Sequence, residues 1–192
     1  MKILLVCMQH DYGDASRGHS YEYINYYNSL TQMGHEVTLF DFMAEQQRHG
    51  KTRMNEMLFN QTRQLQPDLA VFHLYTDQIE VTTVDRLREY ATTLCIFHDD
   101  AWRFDFALHW APHFDFFSTT DNFSAHKYLA LGMKHVLLFP YGCNEKLYCR
   151  MDTQKTCDVS FVGRWHPYRQ WLIDRLKKKG VAVVARGAGW DG

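Results

Sequence analysis

The sequence predicts an α/β protein built on a Rossmann-like, doubly wound parallel sheet. Short apolar runs alternate along the chain with stretches whose apolar residues recur every three or four positions. The first pattern indicates buried strands and the second indicates amphipathic helices. The segments between successive runs are short, which favours parallel crossovers. These observations predict one Rossmann-like domain over residues 1–142.

The predicted elements of this domain alternate regularly. Strands are expected at residues 2–8, 35–42, 68–74, 94–97, 114–118 and 135–139, and helices at residues 18–33, 47–66, 81–90 and 122–131. Gly34 follows the first helix, where a glycine commonly ends a helix. Pro67 ends the second helix, because its ring cannot continue one.

A second, shorter α/β region follows. Residues 143–156 lose periodicity and are predicted to be a linker. A strand at 157–162, a helix at 168–179 and a strand at 181–185 come next. Two strands cannot bury both of their faces alone, so residues 157–192 are expected to be the incomplete start of a second Rossmann-like domain. Its strand edges could support self-association with another copy of the chain.

Bulk properties exclude several classes of partner. The net charge of −1 gives no strong field toward nucleic acid, so no nucleic-acid partner is predicted. The apolar residues 1–8 are too few for a transmembrane segment and lack a cleavage site, which predicts a cytoplasmic protein. The five cysteines contain no CxxC pair and are odd in number, which argues against a zinc site and a disulfide framework.

The candidate catalytic residues follow the buried strand at 94–97. His98, Asp99 and Asp100 come together at its carboxyl end, which is the edge where open α/β sheets bind ligands. Clustering two carboxylates is costly, because like charges oppose joint ionisation. The alternative is a solvated strand end at which Asp100 caps the next helix.

Two glycine-containing turns are candidates for binding substrate. Gly13 and Gly18 have the spacing of a P-loop, but His19 stands where the phosphate-binding lysine would be. We therefore expect a loop that can approach an anion or a sugar hydroxyl, or else a plain connection. Gly163 and Arg164 follow a strand and precede a helix, which suggests a diphosphate cradle. The alternative there is a tight turn with an exposed arginine.

Two histidines spaced four apart, His109 and His113, could ligate zinc on a helix. Pro112 interrupts that helix before the second histidine, so no metal site is predicted there.

Taken together, three segments resemble the GT-B glycosyltransferases and, within them, the CgeB-like (spore-maturation-protein-like) group. The segments are 97–100, 139–144 with Tyr148, and 158–164 with 187–190. The resemblance spans nearly the whole chain through the order and spacing of these segments. Asn144 departs from the pattern, because many relatives have an acid there.

The resemblance implies transfer of a sugar from a nucleotide-sugar donor to an unknown sugar, protein or lipid-linked acceptor, without a cofactor or metal. It implies that His98 and Asp99 line the reaction centre, one as general base or as stabiliser of positive charge, with Asp100 beside the acceptor. Gly163 and Arg164 would bind the donor diphosphate. Since most of the donor domain is expected to be missing, this chain alone is expected to be an inactive or incomplete transferase. The alternative is a non-catalytic Rossmann-like module that binds a ligand or partner.

Overall fold

The computed structural model describes residues 1–190 and divides into two compact units, Met1–Tyr148 and Cys149–Gly192. Residues 143–148, which the sequence assigns to the linker, belong to the first unit. Asn144 is buried there, and its backbone N–H donates to the side-chain oxygen of Asn25 at 2.9 Å. The last two residues of the predicted second domain, 191 and 192, lie outside the described residues.

The first unit contains a six-stranded sheet in which every pairing is parallel, with the order β2-β1-β3-β4-β5-β6. The strands are β1 (Lys2–Cys7), β2 (Glu36–Asp41), β3 (Leu69–Phe72), β4 (Thr92–Ile96), β5 (Phe116–Thr119) and β6 (Val136–Leu138). Each strand lies within two residues of its predicted position. The predicted parallel, Rossmann-like α/β sheet is therefore confirmed.

Helices connect these strands. They are α1 (Asn28–Gln32), α2 (Phe42–His49), α3 (Lys51–Leu65), α4 (Val81–Leu87), α5 (Phe104–Trp110) and α6 (Asn122–Ala130). The predicted helix at 47–66 is wrong in extent, because two helices meet at Gly50, whose φ is +78°. Asp41 starts α2 early by accepting the N–H groups of Met43 and Ala44.

Side chains alternate between the two faces of the sheet, and helices cover both. Leu4 and Val6 of β1 point into a core shared with apolar residues of α2 to α6. Ile3 and Leu5 point the other way, where Tyr26 and its neighbours on the first helical segment pack on them. This two-sided burial is typical of a doubly wound sheet and explains why β1 is apolar from Ile3 to Cys7.

The first helical segment differs from its predicted form. A π-helical turn, Tyr23–Tyr27, precedes the α-helical part and widens the backbone. The carbonyl of Ile24 in this turn accepts the side-chain N–H of Asn144 at 3.3 Å. The Ser20 hydroxyl oxygen accepts the Tyr23 N–H at its start. A π-helical turn in a helix often accompanies a functional site, and this one borders the cavity described below.

The second unit contains a parallel pair of strands, β7 (Val159–Val162) and β8 (Val183–Arg186), joined by α7 (Pro167–Lys178). Ile173 and Val183 are its buried apolar residues within 149–190. This is a much smaller core than that of the first unit. Over residues 1–190, no helix combines the length and the apolar character that crossing a membrane requires.

Candidate functional site

The carboxyl edge of the large sheet opens into a cavity of about 450 Å³. This volume is in the range of small-molecule sites, and the position is the one where parallel α/β sheets bind ligands. Residues from the loop after β1, from the ends of β3 and β4, and from the segment after β6 line it. They include Asp11, Tyr12, Tyr21, Glu22, His73, Tyr75, His98, Asp99, Asp100, Trp102, Arg103, Phe106 and Tyr141.

His98 lies where the sequence predicts it, but its ring is held within the wall. Its Nε2 lies 3.0 Å from Nδ1 of His73, and its Nδ1 is buried without a hydrogen-bond partner in residues 1–190. The ring of Tyr141 stacks on it, with centroids 5.4 Å apart. Burial lowers the pKa of His98, although Asp99 opposes this effect. The structure therefore favours a neutral imidazole at this position.

His73, at the end of β3, is a site residue that the sequence analysis missed. Its side chain is 3% exposed, and its Nε2 has no hydrogen-bond partner among the described residues. Burial, reinforced by the neighbouring His98, lowers the pKa of His73 well below its ordinary value. The pair Phe72-His73 repeats the pair Phe97-His98 at the end of the adjacent strand. That repetition is the signal that could have identified it.

Asp99 is one of the acidic residues that line the cavity. It is exposed, whereas Asp100 beside it is buried. The backbone carbonyl of Asp99 accepts the N–H groups of Trp102 and Arg103 at 3.1 and 2.8 Å. These two hydrogen bonds form a turn after β4 and fix the backbone conformation of Asp99.

Asp100 does not cap the next helix, so that alternative is wrong. Helix α5 begins at Phe104, with Arg103 in the cap position and no side-chain capping bond. Asp100 instead points inward, where its Oδ2 accepts the Tyr128 O–H at 3.1 Å. Burial raises the pKa of the Asp100 carboxyl. Although it lines the cavity, its packing indicates a structural acceptor.

Glu22 also faces this cavity, just before the π-helical turn. Burial raises the pKa of its carboxyl, and Asp11 and Asp99 contribute in the same direction. Glu22 forms no ion pair within residues 1–190. One potential ligand atom from each of Glu22, His73 and His98 lies within 4.8 Å of the others. We call these three residues the Glu-His-His cluster.

Gly13 and Gly18 are not among the residues that line the cavity. Each has positive φ, and each N–H donates within a local turn, to His10 and Ala15 respectively. An antiparallel bridge joins His10 to His19 and closes the loop. With both glycine N–H groups already used, this loop does not form a P-loop cradle. Its contribution to the cavity is Asp11 and Tyr12.

Aromatic side chains form much of the cavity wall. The rings of Tyr12 and Tyr75 meet edge to face, with centroids 5.5 Å apart. Trp102 is 74% exposed. The guanidinium of Arg103 lies 4.1 Å from the centre of the Phe106 ring, and it donates to the Tyr75 carbonyl at 2.7 Å. Exposed rings beside carboxylates suit a ligand that has both apolar faces and hydroxyl or amino groups.

The second unit carries the predicted donor-binding residues. The N–H of Gly163 donates to the Arg186 carbonyl at 2.9 Å, and the Gly163 carbonyl accepts the Trp190 ring N–H at 2.8 Å. A Cβ at Gly187 would lie 2.4 Å from the Gly163 carbonyl oxygen, so the close approach of these two turns requires the glycine at Gly187. Arg164 is exposed beside the N-terminus of α7. Its guanidinium is therefore accessible, whereas the Gly163 N–H is already used.

No protein-family model matches the sequence, and no curated protein matches it. The evidence for function therefore lies in the residues of the cavity and in the turns of the second unit.

Proposed function

We propose that this chain takes part in glycosyl transfer from a nucleotide-sugar donor, with the acceptor bound in the cavity of the first unit. One observation carries the proposal: an exposed carboxylate, Asp99, lies at the carboxyl edge of a parallel sheet inside a cavity walled by aromatic rings. A sugar offers apolar ring faces and hydroxyl groups, and both have partners in this wall.

We assign the role of general base to Asp99 rather than to His98. A general base must come within hydrogen-bond reach of the acceptor hydroxyl. The Asp99 carboxylate is exposed to the cavity, while Nδ1 of His98 is buried and its Nε2 lies against His73. His98 then acts as a positioning residue that fixes the turn carrying Asp99. The acceptor oxygen forms a bond to the anomeric carbon of the sugar, and its proton passes to the Asp99 carboxylate. The bond between that carbon and the phosphate oxygen breaks, and the nucleoside diphosphate leaves with its electron pair.

Recognition of the donor is assigned to the second unit, chiefly to Arg164. A guanidinium pairs well with phosphate oxygens, and the N-terminus of α7 favours negative charge. The backbone of Gly163 lies against Gly187, and its N–H bonds to the Arg186 carbonyl rather than to phosphate. The transfer step as proposed requires no cofactor or metal.

Calorimetric titration of the full chain with UDP and with GDP tests the donor assignment. We expect binding of at least one nucleotide, weakened about tenfold or more in Arg164→Ala and unchanged in Arg150→Ala, an exposed arginine of the same unit.

Hydrolysis of UDP-glucose and GDP-mannose, followed by chromatography, tests catalysis. Asp99→Asn should lower the rate by roughly a hundredfold without changing nucleotide affinity, because it acts on the reacting centre. Asp105→Asn, an exposed carboxylate outside the cavity lining, is the control.

A second candidate is a non-catalytic module that binds a small ligand in the same cavity. The observation that favours it is the Gly163 N–H, which is already bonded to Arg186 and cannot hold a phosphate. Saturation-transfer NMR with glucose, N-acetylglucosamine and glucosamine distinguishes the two. Sugar binding in the absence of any affinity for UDP or GDP would favour the module over the transferase.

A further inference from the structure

We propose that the Glu-His-His cluster binds a divalent transition-metal ion of the zinc type. Two imidazole nitrogens and one carboxylate oxygen form a common ligand set for such ions. The inference does not depend on glycosyl transfer, because metal binding is measured without nucleotide or sugar.

The geometry of the two histidines is close to that of a chelating pair. Nδ1 of His73 and Nε2 of His98 are 3.0 Å apart. Metal–nitrogen bonds of about 2.0–2.1 Å in a tetrahedral site place two ligand atoms roughly 3.3 Å apart. These nitrogens therefore need to separate by only a few tenths of an ångström. The carboxylate of Glu22, within 4.8 Å, must move closer, and its side chain has rotatable bonds that permit this.

The two rings can present their inner nitrogens to one metal ion. A neutral imidazole has one N–H donor and one acceptor nitrogen. The bond between His73 and His98 uses one nitrogen of each ring, and the outer nitrogens, His73 Nε2 and His98 Nδ1, are buried without a partner among the described residues. A metal ion can take the place of the proton between the rings if that proton moves to the outer nitrogen of the same ring. Both imidazoles then bind the ion as uncharged ligands and carry N–H at their outer nitrogens.

Charge also favours a cation at this position. Glu22, Asp11 and Asp99 all contribute negative charge to the cavity wall. Arg17 pairs with Asp11 at 2.9 Å, whereas Glu22 has no ion-pair partner within residues 1–190. A half-buried carboxylate without a cation is costly, and a bound metal ion would offset that cost.

Aromatic rings lie next to the two histidines of the cluster, and the cavity lies on the remaining side. The ring of Tyr26 lies 4.4 Å from that of His73, and the rings of Tyr21 and Tyr141 lie 5.6 and 5.4 Å from that of His98. Aromatic rings therefore surround the two imidazoles. The cavity supplies the remaining side, so three protein ligands would leave a coordination position for water or a ligand oxygen.

Metal binding to the full, chelator-treated chain tests the proposal. Exposed thiols also bind these ions, so Cys143 and Cys149 are first replaced by serine. Calorimetry with Zn²⁺ should then show one ion per chain. Absorption after addition of Co²⁺ should show visible bands of a tetrahedral or five-coordinate ion without a thiolate charge-transfer band.

Variants identify the ligands. Glu22→Gln keeps the shape of the side chain and should weaken Zn²⁺ binding about tenfold or more. His73→Ala should abolish the stoichiometric site, and His126→Ala, an exposed histidine elsewhere, should bind as the parent does. Circular dichroism checks folding. If His73→Ala does not fold, the Zn²⁺ affinity of Glu22→Gln is the measurement that tests the proposal. Absence of a one-to-one site in the parent, or equal affinity in Glu22→Gln and the parent, would overturn the proposal.

Discussion

The Tyr141 hydroxyl donates to the backbone carbonyl of His98 at 2.6 Å, while the two rings stack with an interplanar angle of 14°. This pair joins the segment after β6 to the end of β4. The Tyr21 hydroxyl adds a second connection by donating to the Gly142 carbonyl at 2.8 Å. The cavity wall around His98 is therefore held by contacts that are remote in sequence.

Removing the Tyr141 hydroxyl should loosen this wall without removing the ring. We expect Tyr141→Phe to lower the free energy of unfolding by roughly 0.5–1.5 kcal/mol, the net value of one hydrogen bond. Urea unfolding followed by circular dichroism measures the change. Tyr148→Phe is the matched control, because its hydroxyl makes no hydrogen bond within residues 1–190. Equal stability of the two variants would show that the Tyr141 bond contributes nothing measurable.

A second prediction concerns the buried pair Tyr128 and Asp100. Tyr128→Phe removes the donor and leaves the Asp100 carboxyl buried with fewer partners. The expected loss in the free energy of unfolding is about 1–3 kcal/mol, because an unsatisfied buried acceptor carries its desolvation cost. Thermal and urea unfolding measure it, with Tyr90→Phe as control. A stability unchanged from the parent would mean that Asp100 has another donor in solution.

A third prediction concerns Asp115, which precedes β5 and hydrogen-bonds to β4. Asp115 accepts the Thr93 N–H at 2.9 Å and pairs with Arg88 at 2.9 Å. Burial alone would raise the pKa of Asp115, but the bonds from Thr93 and the charge of Arg88 outweigh it and lower the pKa. The ionised form is therefore stabilised in the folded chain.

It follows that Asp115 stabilises the fold fully above its unfolded pKa of about 3.9 and that this contribution is lost as the pH falls through the lower folded value. At neutral pH, Asp115→Asn should cost about 1–3 kcal/mol of unfolding free energy. The difference from the parent should shrink as acid protonates the parent carboxyl. Unfolding curves at several pH values measure it. A difference that is constant down to about pH 2 would contradict the assignment.

The fourth prediction compares the two units. β7 and β8 pair only with each other among the described residues, and few side chains of their unit are buried. Amide hydrogens of residues 159–162 and 183–186 should therefore exchange faster than those of residues 93–98. Hydrogen exchange measured by mass spectrometry tests this. Equal protection would indicate that the small sheet has gained a partner, such as another copy of the chain.

The sequence was sufficient to predict most of the fold, because the physical signals for it are local. Buried parallel strands are short apolar runs, and amphipathic helices repeat every three or four residues. Gly34 ends the first helical segment with a φ of +86°, as a glycine in that position predicts. The predicted helices are wrong where local sequence signals conflict or are weak. Asp41 starts α2 before the predicted helix, and the aromatic stretch that forms α5 has no clear period.

The candidate site could be predicted only in part. His98 and Asp99 adjoin a buried strand, so their position at the carboxyl edge follows from the chain itself. Their neighbours do not, because Glu22, His73 and Tyr141 come from separate parts of the chain. The sequence alone determined which strands carry polar residues at their ends. The tertiary structure decided which of those residues meet, because strand order and crossovers set the distances between them. It also decided which of them are buried, and burial shifts the pKa of each titratable group.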